Sequence, residues 1–289
     1  MKQVAILSGK GGTGKTTLTA SFAALAKRPV VADCDVEAAD LALLIPPTNK
    51  KVNEFHAGFK AIVNRAACTR CGVCVGVCRF NAISPDIVID PLRCEGCGVC
   101  VDYCPEHAIF EDEQLAGHWY EADTEFGPML YAQIDAGQEN SGKLVAQVRK
   151  RALERAEEGG HEIVLIDGPP GIGCPVISAL TGVDLVVLVT EPSPSGLHDL
   201  DRVLELTRHF KIPALVVLNK ADLALDYAAH MVECIEANGA RLIGRLPYDQ
   251  SALEAVAAAE PVVRHGTGPL TTAIEDVWKV IEEELTTAN

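Results

Sequence analysis

Gln3-Val-Ala-Ile-Leu-Ser-Gly9-Lys10-Gly11-Gly12-Thr13-Gly14-Lys15-Thr16-Thr17 is the stretch on which the fold turns. A short apolar run enters a glycine-rich loop, and an apolar-periodic helix follows to about Lys27. The loop satisfies G-x4-G-K-[ST], a pattern whose mechanics require a strand before it and a helix after it. Backbone N–H groups from Gly11 to Lys15 are expected to cradle phosphates at the helix N-terminus, with Thr13 and Thr17 in the same loop. Lys15 supplies a point charge for the outer phosphates, and the Thr16 hydroxyl supplies a ligand for magnesium.

Outward from this loop, apolar strands and amphipathic helices alternate. Residues 1–58 read as a first β-α-β unit whose last short helix ends at Pro46-Pro47. Residues 118–136 read as a return hairpin, and from 141 the order is helix 143–158, strand 162–167, strand 184–190, helix 196–210, strand 213–219, helix 226–238, strand 241–245 and two closing helices. Such alternation predicts an α/β fold with a mostly parallel sheet covered on both faces.

A cysteine-rich segment interrupts the pattern. Eight of the eleven cysteines lie in two copies of one spacing: Cys68, Cys71, Cys74, Cys78 and Cys94, Cys97, Cys100, Cys104. The sixteen residues from Cys68 match the sixteen from Cys94 at nine positions, an internal repeat offset by 26. Gly72 and Gly98 fall where a tight turn would leave no room for a Cβ. Paired Cys-x2-Cys knuckles for zinc are one reading. The third and fourth cysteines of each run instead resemble the bacterial two-cluster ferredoxin pattern. That resemblance implies an inserted α+β ferredoxin-like domain with two [4Fe-4S] clusters, the fourth cysteine of each run crossing to the other cluster. Cys68, Cys71, Cys74 and Cys104 would then hold one cluster, and Cys94, Cys97, Cys100 and Cys78 the other. Arg79 stands where the pattern has proline after Cys78, a departure that leaves all eight ligands in place.

Lys10, a second lysine in the phosphate loop, makes Lys10-Gly-Gly-Thr-Gly-Lys-Thr-Thr17 resemble the deviant P-loop of the MinD/ParA/Mrp and nitrogenase iron-protein superfamily. The resemblance implies that Lys10 reaches across a homodimer interface to the partner's nucleotide. Val30-Val-Ala-Asp33-Cys-Asp35 resembles the second strand and switch I of that superfamily, with Asp35 toward the attacking water and Asp33 near the magnesium shell. Ile163-Val-Leu-Ile-Asp167-Gly-Pro-Pro-Gly resembles the Walker B strand and switch II, Asp167 serving magnesium. Leu215-Val-Val-Leu-Asn219-Lys-Ala-Asp222 places Asn219 where the superfamily reads adenine, and Gly244-Arg-Leu-Pro-Tyr-Asp249 resembles the loop over the base. Asn-Lys-x-Asp is equally a guanine-reading motif, so ATP is favoured through the deviant loop alone. Asp222 is otherwise a candidate helix N-cap. Together the motifs identify the subgroup of MinD-superfamily ATPases with an inserted ferredoxin domain, divided as core 1–58 and 116–289 and insert 59–115.

Composition narrows the function classes. The net charge of −15 argues against a nucleic-acid partner held through basic surface. No apolar run approaches a membrane span, and the C-terminal helix 271–285 carries Glu275, Asp276, Glu282, Glu283 and Glu284, so no membrane anchor is expected. Reduced cluster-binding thiols imply a cytoplasmic setting. Cys174 lies seven residues after Asp167, the interval of a cluster-ligating cysteine in the nitrogenase iron protein, and is also compatible with a core thiol. Asn140-Ser-Gly-Lys143 opens a helix with Ser141 as candidate cap and Lys143 against the helix dipole. Three roles stand open: ATP-gated electron transfer to a redox partner, assembly or delivery of an iron–sulphur or metal cofactor, and a non-redox positional switch.

Overall fold

The computed structural model describes residues 1–137 and 141–287. β1 (Lys2–Ser8), α1 (Lys15–Leu25) and β2 (Val30–Asp33) open the chain, followed by the single turn α2 (Leu41–Leu44) and the long strand β3 (Thr48–Val63). Two short helices, α3 (Val73–Val77) and α4 (Val99–Asp102), precede β4 (Ile109–Asp123) and β5 (Pro128–Ile134). Then come α5 (Ser141–Gly159), β6 (Ile163–Pro170), α6 (Cys174–Leu180), β7 (Leu185–Thr190), α7 (Pro194–His209), β8 (Ala214–Leu218), α8 (Leu225–Ala237), β9 (Arg241–Arg245), α9 (Ser251–Ala258), α10 (Val262–His265) and α11 (Pro269–Thr287).

Among the described residues nine strands form one sheet in the order β3-β4-β5-β2-β6-β1-β7-β8-β9. Every pairing from β5 through β9 is parallel. Parallel strands need crossovers that cover both faces, so their side chains are apolar on both sides. β1 shows this directly: Val4, Ala5, Ile6 and Leu7 are all fully buried. Val4 and Ile6 share a core with Phe22 of α1 and Trp278 of α11, whose rings lie 5.3 Å apart. β1 has β6 on one side and β7 on the other, and the chain leaves in opposite directions from these neighbours. Ligands bind at such a switch point, beyond the carboxyl ends of the strands.

Two compact units make up the chain. One comprises Met1–Asn53, His118–Ile134 and the chain from Ser141; the other comprises Glu54–Gly117 with the short stretch from Asp135. The second unit has its own small core of Ala61, Ile83, Ile87, Ala108 and Ile109 with four of the cysteines, Cys74, Cys94, Cys100 and Cys104.

The parallel α/β sheet matches the sequence expectation, with instructive differences. β3 was not anticipated: its first five residues are exposed, and its apolar alternation, Phe55, Ala57, Phe59, Ala61 and Val63, is confined to the second half and mixes small side chains with large ones. The expected return hairpin is β4, a turn at Thr124–Gly127 closed by the Thr124 hydroxyl on the Gly127 carbonyl (2.7 Å), and β5. β5 is more than a return, since Val31 and Met129 pair across β2 and β5 within the parallel sheet. Three closing helices replace two, because α10 is only one turn long. Ser141 is the first helical residue of α5, so the capping position before it, Asn140, lies outside the described residues.

Candidate functional site

β1 delivers the phosphate loop to the carboxyl edge of the sheet. Gly12 and Gly14 take positive φ (77° and 96°), a left-handed geometry that side chains resist. At Gly14 a Cβ would also strike the Asn219 side-chain amide. The loop borders a cavity of about 710 Å3 with Gly11, Gly12, Gly14, Lys15, Thr16 and Thr17 on one wall and Asp35 on another.

Lys15 is only 6% exposed, and its ammonium lies 3.6 Å from Asp35 Oδ2. A buried ammonium with one long ion pair beside a cavity suits an anionic ligand. The Thr13 hydroxyl in the same loop is buried without a hydrogen-bond partner, a further group left for a ligand. Thr16 Oγ1 donates to Asp167 Oδ2 (2.7 Å), and Thr19 Oγ1 donates to Asp167 Oδ1 (3.1 Å). Thr16 and Asp167, the two residues expected to serve magnesium, are thus in direct contact. Burial pushes the Asp167 carboxyl up, opposed by Lys15 and by the Thr16 and Thr19 hydroxyls. Burial likewise raises Asp35, with Lys15 pulling it down. Asp33 rises well above the usual carboxylate range, from burial first and repulsion by Asp167 second, although it accepts the Asp35 and Leu41 N–H groups (both 3.1 Å). A hard divalent cation suits this oxygen set, because it would offset that repulsion.

Lys10 points toward the end of β7 and the start of α7. Its ammonium lies 2.6 Å from Glu191 Oε1 and donates to Ser195 Oγ (3.0 Å) and Ser193 Oγ (3.3 Å). Lys220 shares the same carboxylate through Oε2 (3.1 Å) and donates to the Gly12 carbonyl (3.0 Å). Burial raises Glu191, yet the hydrogen bonds from Lys10 and Lys220 outweigh it and leave the group below its usual value. Asn219 Nδ2 donates to the Thr13 carbonyl (2.8 Å), and Asn219 Oδ1 accepts from the Lys220 N–H (2.9 Å). Asn219 therefore fastens the phosphate loop. It also borders a second cavity of about 250 Å3 that includes Leu246, Pro247, Tyr248 and Asp249, the stretch expected to close over a base. Asp222 is not a helix cap: it accepts the Tyr248 N–H (2.6 Å) and so anchors that loop, while α8 begins only at Leu225.

In the second unit, Cys68, Cys71, Cys74 and Cys104 border one cavity, and Cys78, Cys94, Cys97 and Cys100 border another. These are the two crossed sets of four that the ferredoxin resemblance implies. Among the described residues no three His, Cys, Asp or Glu converge on a single ion-sized point; the thiols edge a space instead. The repeat extends to the backbone, where positive φ recurs at the 26-residue offset: Arg70 and Gly96, Gly72 and Gly98, Asn81 and His107. Cys78 Sγ accepts the Ala82 N–H (3.4 Å) and Cys104 Sγ the Ala108 N–H (3.2 Å), again one offset apart. Donors aimed at sulphur favour the thiolate, the form that binds metal. Burial raises Cys74 and lifts Cys100 to about 11, so a cationic cluster core is what would hold these as thiolates.

Cys174 is exposed at the start of α6, with Gly142 against its backbone, and Lys143 is exposed on the first turn of α5. Cys34 is fully buried. Glu191, Ser193, Ser195, Lys220 and Thr19 were not anticipated as site residues. Thr19 stands one helical turn after Lys15 and Lys220 lies inside the Asn219-Lys-Ala-Asp222 motif, while the other three left no local signal.

The loop, the switch-point sheet and the aspartates at its carboxyl edge define a P-loop nucleotide-binding α/β protein. The chain belongs to the CobQ/CobB/MinD/ParA nucleotide binding domain family, whose pattern matches residues 4–262. It is similar to an uncharacterized protein of Methanocaldococcus jannaschii, 38% identical over 75% of this chain and 78% of the other. An iron-sulfur cluster carrier protein of Pyrococcus furiosus is 22% identical over 98% of this chain and 86% of its own length. The septum site-determining protein MinD from Pyrococcus horikoshii, solved with Mg-ADP, shares the fold with a TM-score of 0.60 at 18% identity, covering 100% of this chain and 98% of that one. No helix among the described residues is long and apolar enough to cross a membrane.

Proposed function

We propose that the protein is an ATP-hydrolysing iron–sulphur protein in which nucleotide-driven homodimerisation gates electron transfer through two [4Fe-4S] clusters to a partner protein. The observation that carries this reading is the joint presence of a phosphate loop with a buried lysine and two four-cysteine cavities in one chain. Lys15 binds the β- and γ-phosphates, Thr16 and Asp167 hold Mg2+, and Asp35 orients the attacking water. Lys10 serves the nucleotide of the second protomer. Clusters held by the eight cysteines would supply one-electron storage at potentials set by their surroundings. Residues 59–115 form the inserted ferredoxin-like domain of this reading, and the core comprises 1–58 and 116–289.

Coupling follows from linkage. If ATP alters the reduction of the clusters, reduction must alter ATP affinity by the same free energy. Affinity for a non-hydrolysable ATP analogue, titrated against oxidised and dithionite-reduced protein, should differ by about 5–150-fold. Equal affinities with both clusters intact would remove energetic gating. The relatives named as iron-sulfur cluster carriers favour a second reading, cofactor assembly or delivery, which predicts cluster loss to an apo-acceptor instead.

A further inference from the structure

Resting on the dimer reading above, we infer that Glu191 is a positioning residue that keeps Lys10 within its own protomer until a second copy arrives. The early lysine has three hydrogens to donate, and all three have acceptors within its own chain: Glu191, Ser193 and Ser195. A lysine so engaged cannot at the same time serve a nucleotide on another protomer. The clasp is half-buried, Lys10 being 29% and Glu191 23% exposed, so it is neither a freely solvated pair nor a locked core pair.

The carboxylate has a second duty. Its other oxygen holds Lys220, which holds the Gly12 carbonyl, while neighbouring Asn219 holds the Thr13 carbonyl. When Lys10 leaves, Glu191 retains Lys220 as counter-ion, so no charge is stranded and the phosphate loop keeps its two fasteners. Release of Lys10 is therefore separable from damage to the nucleotide site. The arrangement is a two-position lysine in which Glu191 sets the cost of the outward position, and dimerisation must supply that cost.

The test compares wild type, Lys10→Ala, Glu191→Gln, Glu191→Asp and the double variant Lys10→Ala/Glu191→Gln. Two quantities are read: the protein concentration at half-dimerisation with Mg2+ and a non-hydrolysable ATP analogue, by sedimentation, and analogue affinity at concentrations where only monomer exists. Glu191→Gln keeps a side-chain oxygen for Lys220 but weakens the hold on Lys10. It should lower the half-dimerisation concentration by about three- to tenfold, the effect of weakening one partly exposed charge-assisted contact. Monomer affinity should move less than that, Glu191→Asp should restore the wild-type midpoint, and the double variant should behave as Lys10→Ala alone. An unchanged or raised midpoint in Glu191→Gln overturns the inference, as does an equal shift in the Lys10→Ala background or an equal loss of monomer affinity. A Lys10→Ala protein that dimerises like wild type would instead overturn the dimer reading itself, and this inference with it.

Discussion

Asp33 and Asp167 stand opposite one another in register across β2 and β6, both buried, with no salt bridge to either among the described residues, although Lys15 lowers Asp167. Burial raises both carboxyls, and repulsion by Asp167 raises Asp33 further, so folding favours their protonated forms. An acid whose folded pKa is raised binds a proton that the unfolded chain has already released. Its stabilising form is fully present below the unfolded value and is lost as pH rises through the folded value.

Nucleotide-free protein should accordingly lose stability from this pair as pH rises above the usual carboxylate range and through the raised folded values. Melting temperature against pH, compared between wild type and Asp33→Asn, checks it. The variant should show the shallower decline even if its absolute stability falls, since Asn loses one of two backbone acceptors. Parallel slopes in the two proteins would contradict the argument.

Lys15→Ala should weaken nucleotide binding by about 10- to 100-fold, the loss of charge-assisted contacts to phosphate, and should abolish hydrolysis. The cavity and the loop backbone remain, so far-ultraviolet circular dichroism should be unchanged. Fluorescent nucleotide titration measures the first effect. Wild-type affinity in this variant would mean that phosphates are held elsewhere.

Anaerobically purified protein should carry about eight irons and eight acid-labile sulphides, from two cubanes on eight cysteines. Cys68→Ala should reduce the iron content toward one cluster and remove one signal from the electron paramagnetic resonance spectrum of the reduced protein. Stoichiometric zinc after anaerobic reconstitution with iron and sulphide would restore the knuckle reading.

Phe22→Ala should lower the unfolding free energy by about 3–5 kcal/mol, because Phe22 is fully buried against Trp278 and the α1–α11 seam cannot collapse onto the gap. Urea denaturation followed by tryptophan fluorescence, with Trp119 replaced by Phe in both proteins so that Trp278 is the reporter, measures it. A loss under about 1 kcal/mol would mean that the seam repacks.

What could be read from the chain alone was what is local in sequence. Gly9 to Thr17 carries strand, loop and helix within one span, and the cysteine spacing marks two runs of four, whose crossed grouping comes from the resemblance to two-cluster ferredoxins. Strands such as Leu185–Thr190 announce themselves because both faces are apolar. β3 did not, since its first five residues are exposed and its apolar alternation is confined to Phe55 through Val63, beside the cysteine segment. The clasp around Lys10 was invisible for another reason: its acceptors lie more than 180 residues away and meet it only because β7 lies beside β1 in the sheet. Asn219 shows the limit of motif reading, for its position was marked while its hydrogen bonds to the phosphate loop depend on tertiary approach.

The doubled cysteine segment kept its backbone turns while its faces diverged. Arg70 occupies with strain the left-handed turn that Gly96 occupies freely, and Thr69 corresponds to Glu95 at the same offset. The cavity of Cys71 is therefore bordered by Arg70 and Glu106, and that of Cys97 by Glu95 and Glu111, with Lys60 on the Cys94 carbonyl. One mould has produced two sockets with different electrical addresses. A visitor drawn by charge to one of them has no equal reason to approach the other, and a duplication that began as symmetry ends by giving the segment a front and a back.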